Sequence, residues 1–371
     1  MAIYVAIMVI HGIICSLPNR YLSNLTSSYV FINLGITVIA SILVLARTPA
    51  EEMLSAADGF GQLVDKTGWG SQAFAFLVGL GSVQFVMTDY DAVGHMTEDI
   101  HRASFAAPVA LFVAVAGTGL MGWFLNTAFV FASGDVGNGN YLEFPGQLAF
   151  AQILYNRGGR IAFLIIWPFI MLVAWFVIST ATIANARSFY AFSRDGGMSD
   201  NKFFARINKR TGQSVNAVWL VVLLCIALIL ISFASNYAIL AIFSLAAFAM
   251  DLSYLISIVA RQIFANHPEV QFKPGPFFLG NGFLGKAVNY TTIVWTLFEC
   301  IILAIPATQP YTAATFNYSW VIALGILLFS LIWYAAYARK HYKGPHGSLS
   351  TDQIQQLGVV SRQEELEADE K

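Results

Sequence analysis

Charge is what this 371-residue sequence has least of: Asp, Glu, Lys and Arg together make up 11% of it. An ordinary soluble domain carries about 25%. With 57% hydrophobic residues and a mean hydropathy of +0.65, the polar side chains needed to cover two or three water-facing domains are missing. The net charge of −1 argues against a nucleic-acid partner, which needs a basic face. Cysteine is scarce too. Cys15, Cys225 and Cys300 lie far apart in apolar runs and form no CxxC pair, which argues against zinc and redox motifs. Ten-residue runs of alternating polar and apolar residues are absent, which disfavours a membrane β-barrel and leaves helices to satisfy the backbone in lipid. The first residues have neither the basic n-region nor the cleavage site of a signal peptide.

What the sequence does have is apolar length. A bilayer core about 30 Å thick takes roughly 17–25 mostly apolar residues per helix. Nine stretches meet or nearly meet that requirement: 2–17, 29–46, 71–92, 106–132, 161–186, 216–234, 237–260, 287–307 and 319–337. Most are apolar on every face, as expected of helices that meet lipid and one another. The first is short and contains His11, the third turns polar at its end, and 145–156 reads as a short helix lying in the interface. The predicted fold class is an all-α polytopic membrane protein, with a transmembrane domain over 1–343 and a polar, acidic-ended tail over 344–371 expected to be disordered.

The few charges are unevenly placed. Nine alternating spans divide the loops into two sets, and sixteen of the twenty Lys and Arg residues fall in one. The other holds Arg47, Lys66, Arg157 and Arg160. Basic loops stay in the cytoplasm, so the C-terminus is expected inside and the N-terminus on the other side. The sequons at Asn24 and Asn289 then face the cytoplasm and that at Asn317 hugs the membrane, so none is expected to carry a glycan.

Ionisable groups within spans are costly and mark functional sites by default. The densest set is Thr88-Asp89-Tyr90-Asp91, followed by His95 and Thr97-Glu98-Asp99, at the end of the third span. Two carboxylates two residues apart lie about 200° apart on a helix. A break near 88–91 would instead let backbone carbonyls, Tyr90 and one carboxylate converge on a cavity, as transporters do with interrupted helices at the midplane. Gly79, Gly81 and Ser82 upstream would let neighbouring helices approach. Equally, the 17 residues Ser71 to Met87 suffice to cross, leaving Asp89 onward as a solvated loop. Asp251 and Glu299 lie within the seventh and eighth spans. Each is either a protonation site or a structural partner of Ser, Thr or Tyr on a neighbouring helix. Asn126 and Asn185 read as interhelical hydrogen-bonding groups. Gly280-Asn281-Gly282-Phe283-Leu284-Gly285 matches GxGxxG, but no strand precedes it and no βαβ unit fits, so nucleotide binding is rejected. Neither a cofactor nor a metal site is predicted.

Four stretches resemble the fungal amino-acid/choline/GABA permease branch of the amino acid–polyamine–organocation superfamily. They are His11 to Arg20, Thr88 to Asp99 with Ala106-Ala107-Pro108, Arg187 to Gly196 with Val215 to Trp219, and Phe272 to Phe277. The resemblance implies a five-plus-five inverted-repeat transporter fold with two further helices. The nine spans then correspond to family helices four to twelve, and the first three helices, including the broken first helix that supplies half the substrate site, are expected to be missing. It also implies that Val86, Thr88, Tyr90 and Asp91 line the substrate path, and that Arg187, Arg194 and Asp195 form a cytoplasmic gate. Relatives often have glycine where Asp89 stands, so substrate identity does not carry over.

The expected function is secondary transport of a small amine-bearing solute (an amino acid, GABA, choline or polyamine) by alternating access, coupled to protons, in the plasma or vacuolar membrane. Thr88 and backbone ends would take polar groups and Asp91 or Asp89 a cationic amine. Phe85 and Tyr90 offer rings for cation–π contact worth roughly 0.5–2 kcal/mol. Asp91, Asp251 and Glu299 are the proton-coupling candidates. A rival reading is a membrane-embedded lipid-modifying enzyme using His95 and Asp91, and a third is a truncated permease without transport activity.

Overall fold

The computed structural model describes residues 1–65, 67–86, 89–97, 100, 102–134, 148–233, 236–265, 267, 274–313, 316–342 and 344. Of residues 19, 20, 23, 82, 84–86, 232, 236–240, 244, 247 and 248 only the backbone is described. Every regular element among these is helical. In chain order they are α1 (Ala2–Cys15), α2 (Asn19–Arg47), α3 (Ala56–Gly61), α4 (Gln72–Val86), α5 (Ala92–His95) and α6 (Ala103–Ser133). There follow α7 (Ala149–Arg194), α8 (Val215–Leu230), α9 (Asn236–Ile263), α10 (Phe283–Ala304) and α11 (Ser319–Trp333). A helix therefore runs through each of the nine apolar stretches. Five helices are long and apolar enough to cross a membrane, and α1, α8 and the first part of α4 are shorter apolar helices, among the described residues.

Local chemistry sets several boundaries. Pro18, with φ fixed near its ring value at −56°, turns the chain into α2. Ser55 caps α3 by accepting the Asp58 N–H at 3.1 Å while its hydroxyl donates to the Asp58 carboxylate at 2.6 Å. Gly159, at φ 74° and ψ 172°, is not helical, so α7 is two legs meeting at a kink. The leg before Gly159 is where the interfacial helix was expected from 145, although 145–147 lie outside the described residues. At its far end α11 passes through a π-helical turn, Tyr334–Ala338, into a last turn, Arg339–His341.

Packing is concentrated where side chains are small. In α2, α6 and α7, Ala40, Ala128 and Ala132 are buried with Val44, Phe129 and Leu154, and such small residues let helices approach closely. Cys15, Leu22, Ile183, Ala186, Ala217 and Val218 form a second core of α1, α2, α7 and α8. His11 lies wholly inside, its ring nitrogens 2.8 Å from the Ile7 carbonyl and 3.0 Å from that of Trp175. Large apolar side chains such as Phe112, Trp123, Ile161 and Phe329 point outward instead. A water-soluble monomer rarely exposes so large an apolar surface; a lipid-facing one does.

The bundle is tied at both ends by polar contacts. Before α4, Trp69 donates its indole N–H to the Pro306 carbonyl at 3.2 Å, and the Gln309 N–H donates to the Thr67 carbonyl at 2.7 Å. After α7, the Gly197 carbonyl accepts from Trp333 at 3.0 Å and the Met198 carbonyl from Tyr337 at 3.2 Å.

Candidate functional site

α4 ends at Val86 and the chain restarts as the single turn α5 at Ala92. Between them the backbone at 89–91 is a turn and not a helix. The interruption holds one unusual backbone: Asp89 sits at φ 63°, in the left-handed region. Reversal at Asp89 removes the 200° separation that a continuous helix would impose. Both Asp89 and Asp91 line one cavity of about 620 Å³, whose other walls are α7, through Thr180 and Asn185, and α9, through Ser253, Tyr254 and Ser257.

Asp91 is the best-anchored group there. Its Oδ2 accepts the Tyr254 hydroxyl at 2.7 Å and lies 3.0 Å from His95 Nε2, one turn ahead on α5. The Asp91–His95 pair that a lipid-modifying enzyme would need is thus present, but it is shared with Tyr254 inside a polar cavity. Asn185 donates to the Ala181 carbonyl of its own helix at 2.9 Å, and its side chain faces the cavity. The interhelical role expected for it is not what the structure shows, because Ala181 lies one turn back on the same face of α7.

Tyr90 turns the other way. It lines a second cavity of about 320 Å³ with Asp251, Thr292 and Thr296, which Asp91 and Tyr254 also border. Its ring stands 6.2 Å from that of Tyr254. Asp251, buried on α9, is in hydrogen-bonding contact with both Tyr90 and Glu299. Glu299, on α10, also accepts the Trp295 indole N–H and lines a smaller cavity of about 160 Å³ next to Gly81. A Cβ on Gly81 would stand 3.0 Å from Leu303, so this glycine does admit α10 closely, whereas Gly79 has open space. Of the expected substrate residues, Thr88 lies outside the described residues, as do the side chains of Phe85 and Val86.

Arg187, Arg194 and Asp195 lie together at the end of α7 with the basic loops. Arg187 donates to the Gln213 side chain at 3.3 Å, and Arg194 to Asp195 at 2.9 Å while its guanidinium lies 5.7 Å from the Tyr190 ring. The connection after α7 folds around Asp200, whose Oδ2 accepts the Ser193 hydroxyl at 2.6 Å and the Phe204 N–H at 2.9 Å. Partial burial pushes the Asp200 carboxyl up, but these hydrogen bonds outweigh it and hold it below the ordinary carboxylate range. Among the described residues no three His, Cys, Asp or Glu side chains converge to hold a metal ion.

Tyr254, Thr180, Ser253 and Ser257 also line the cavity that Asp91 borders, and none of them stands out in the sequence. Tyr254 follows Asp251 by three residues and so shares its helical face, which was the available signal. The others are small polar residues in apolar helices, and only the pairing of α7 with α9 across the interruption gives them meaning.

The amino-acid sequence of this helical chain has a match among known proteins. Residues 1–328 fit the family described as amino acid permease. The chain belongs to that family. It is 38% identical over 92% of its length to an uncharacterised amino-acid permease of Schizosaccharomyces pombe, covering 61% of that protein. It is 27% identical over 94% of its length to amino-acid permease 2 of Neurospora crassa, covering 63%, and 30% identical over 93% of its length to the amino-acid permease BAT1 homolog of Oryza sativa, covering 66%. The chain therefore spans somewhat less than two thirds of these relatives. They are named as permeases, which are transporters and not enzymes. Family membership and the apolar helices together make this permease chain an integral, multi-pass membrane protein.

Proposed function

We propose that this permease chain moves a small amine-bearing solute across the membrane by alternating access, driven by protons. The observation that carries this reading is the 620 Å³ cavity at the α4–α5 interruption, where Asp89 and Asp91 face Thr180, Ser253 and Tyr254. A cavity of this size suits an amino acid. Fixed carboxylates in a site of low dielectric attract an ammonium group far more strongly than they would in water. The names of the relatives favour amino acids within the broader class, which includes GABA, choline and polyamines.

The proton path in this reading runs from Asp91 and Tyr254 to Tyr90, Asp251 and Glu299. It is supported by the contacts of Asp251 with Tyr90 and Glu299 and by the two adjoining cavities that Asp91 and Tyr254 both border. Arg187, Arg194 and Asp195 act as a gate at the cytoplasmic end, where the basic loops gather. The C-terminus is cytoplasmic, and the membrane is the plasma or vacuolar membrane.

Uptake of labelled amino acids, GABA and choline into vesicles carrying the full chain tests the reading. Accumulation is expected, and faster accumulation when the donor side is acidic. No uptake by folded protein would defeat the transport reading; uptake indifferent to the gradient would defeat proton coupling alone. Asp251→Asn and Glu299→Gln are expected to reduce the acceleration by the gradient more than they reduce solute counterflow.

A further inference from the structure

His95 has no part in the proton path described above, yet it stands between two spaces. On one side it borders the 620 Å³ cavity together with Asp89 and Asp91. On the other it borders a separate pocket of about 180 Å³, whose walls are Thr97 on its own segment and Arg187, Ser188 and Tyr190 on α7. Arg187 places that pocket at the end of α7 where the basic loops gather.

Two groups meet at Asp91 Oδ2: the Tyr254 hydroxyl donates to it at 2.7 Å, and His95 Nε2 lies 3.0 Å away. The imidazole differs from the hydroxyl in having a second ring nitrogen. Its ordinary pKa of about 6.5 also lets it take up and give away a proton near neutral pH. Exposure rises along the pair, from 14% for the Asp91 side chain to 40% for that of His95. A proton passing from one to the other therefore moves toward water. Among the described residues, the charged and titratable groups around the ring are Asp89 and Asp91, Tyr254 from α9, and Arg187 and Tyr190 from α7. The helix α6, which also packs on α5, has no ionisable side chain. The carboxylates favour the imidazolium and the guanidinium of Arg187 opposes it, so neither state of the ring is favoured from every side.

We propose that His95 is the cytoplasmic outlet of the proton path, carrying protons from Asp91 to the pocket beside Arg187. The inference rests on the proton-coupled transport reading above. Glu299, at the other end of that path, stands in the last two turns of α10, near the contact of Trp69 with Pro306. With His95 the path runs from one end of the bundle to the other. In the transfer step, the Oδ2–H bond of protonated Asp91 breaks as an Nε2–H bond forms on a ring that already holds a proton on Nδ1. The imidazolium then loses its Nδ1 proton to water in the pocket, and exchange with water restores the starting tautomer. Asp91 is left ionised, with the Tyr254 hydroxyl still donating to it.

His95→Gln keeps an amide donor for Asp91 and removes the ability to carry a proton. Vesicles carrying the full chain and a trapped pH dye are given labelled amino acids, GABA and choline with the outer side acidic. A positioned acid–base group contributes roughly 100-fold or more to a proton transfer. Gradient-accelerated uptake and solute-driven acidification of the dye are therefore expected to fall at least about tenfold in the variant. Counterflow at equal pH needs the solute site but no net proton movement, and it is expected to stay within about twofold. Acceleration equal to that of the unsubstituted protein overturns the proposal and leaves transport intact. An equal fall in counterflow also overturns it, since His95 is then only a structural partner of Asp91. Should His95→Gln fail to fold, His95→Asn is judged by the same two outcomes. Uptake by the unsubstituted chain that ignores the gradient, or no uptake at all, overturns the proposal and the proton-coupled reading together.

Discussion

The Tyr254 hydroxyl joins two helices that are 163 residues apart in sequence through one 2.7 Å bond to Asp91. A hydrogen bond to a charged group contributes about 1.5–3 kcal/mol, and 1.4 kcal/mol is a factor of ten. Tyr254→Phe should therefore reduce the initial rate of solute uptake by roughly tenfold or more, measured in vesicles at fixed protein amount, and an unchanged rate would show the bond to be incidental. At this scale the sequence was informative where chemistry is dense and local. The run Asp89-Tyr90-Asp91 in an apolar span drew attention because carboxylates are expensive there. Thr180, Ser253 and Ser257 did not, since a lone hydroxyl in a helix satisfies itself on the preceding turn, as Ser253 does on the Met250 carbonyl at 2.7 Å. The division of labour between Tyr90 and Asp89 was equally hidden. They are adjacent in sequence, and only the left-handed turn sends them to different cavities.

The elements show the same limit from another side. The helices were legible because apolar length is a sufficient signal in a membrane chain, and five of those among the described residues are long and apolar enough to cross. The interruption of the third was not decided by its sequence, because 17 apolar residues suffice for a crossing and a polar continuation reads equally as loop. What holds α4 in place is also non-local. Gly68, just before α4, has φ 77°, and a Cβ there would stand 2.2 Å from the Gln309 carbonyl oxygen in the connection after α10. Gly68→Ala should cost about 2 kcal/mol or more from the backbone strain and the overlap combined, seen as a lower melting temperature in detergent. A melting temperature equal to that of the unsubstituted protein would mean the two connections do not hold α4. In the connection after α7, Asp200 has its carboxyl pKa depressed by the Ser193 and Phe204 donors. A depressed folded-state pKa gives stability that is present above the ordinary carboxylate pKa and lost as pH falls through the folded value. Protease accessibility of this connection should therefore be constant above about pH 4 and rise only in stronger acid. Asp200→Asn should raise it at neutral pH.

Across the whole molecule, the arrangement of surface is the reverse of a soluble protein's. Large apolar side chains face outward, while the polar groups Asp91, Asp251, Tyr254 and Glu299 gather between α4–α5, α9 and α10. Scarcity of charge indicated this solvent, and the distribution of the twenty Lys and Arg residues gave an orientation. That orientation is open to a direct check: an epitope added after Lys371 should become accessible to antibody only when the cells are permeabilised. The account's central claim is that a solute crosses through the cavity that Asp91 borders. The most direct measurement compares vesicle uptake of a transported amino acid by Asp91→Asn with that by Glu51→Gln, a control carboxyl exposed between α2 and α3. The account predicts that uptake falls at least tenfold in Asp91→Asn and stays within about twofold in the control. Transport by folded Asp91→Asn at the unsubstituted rate would contradict it.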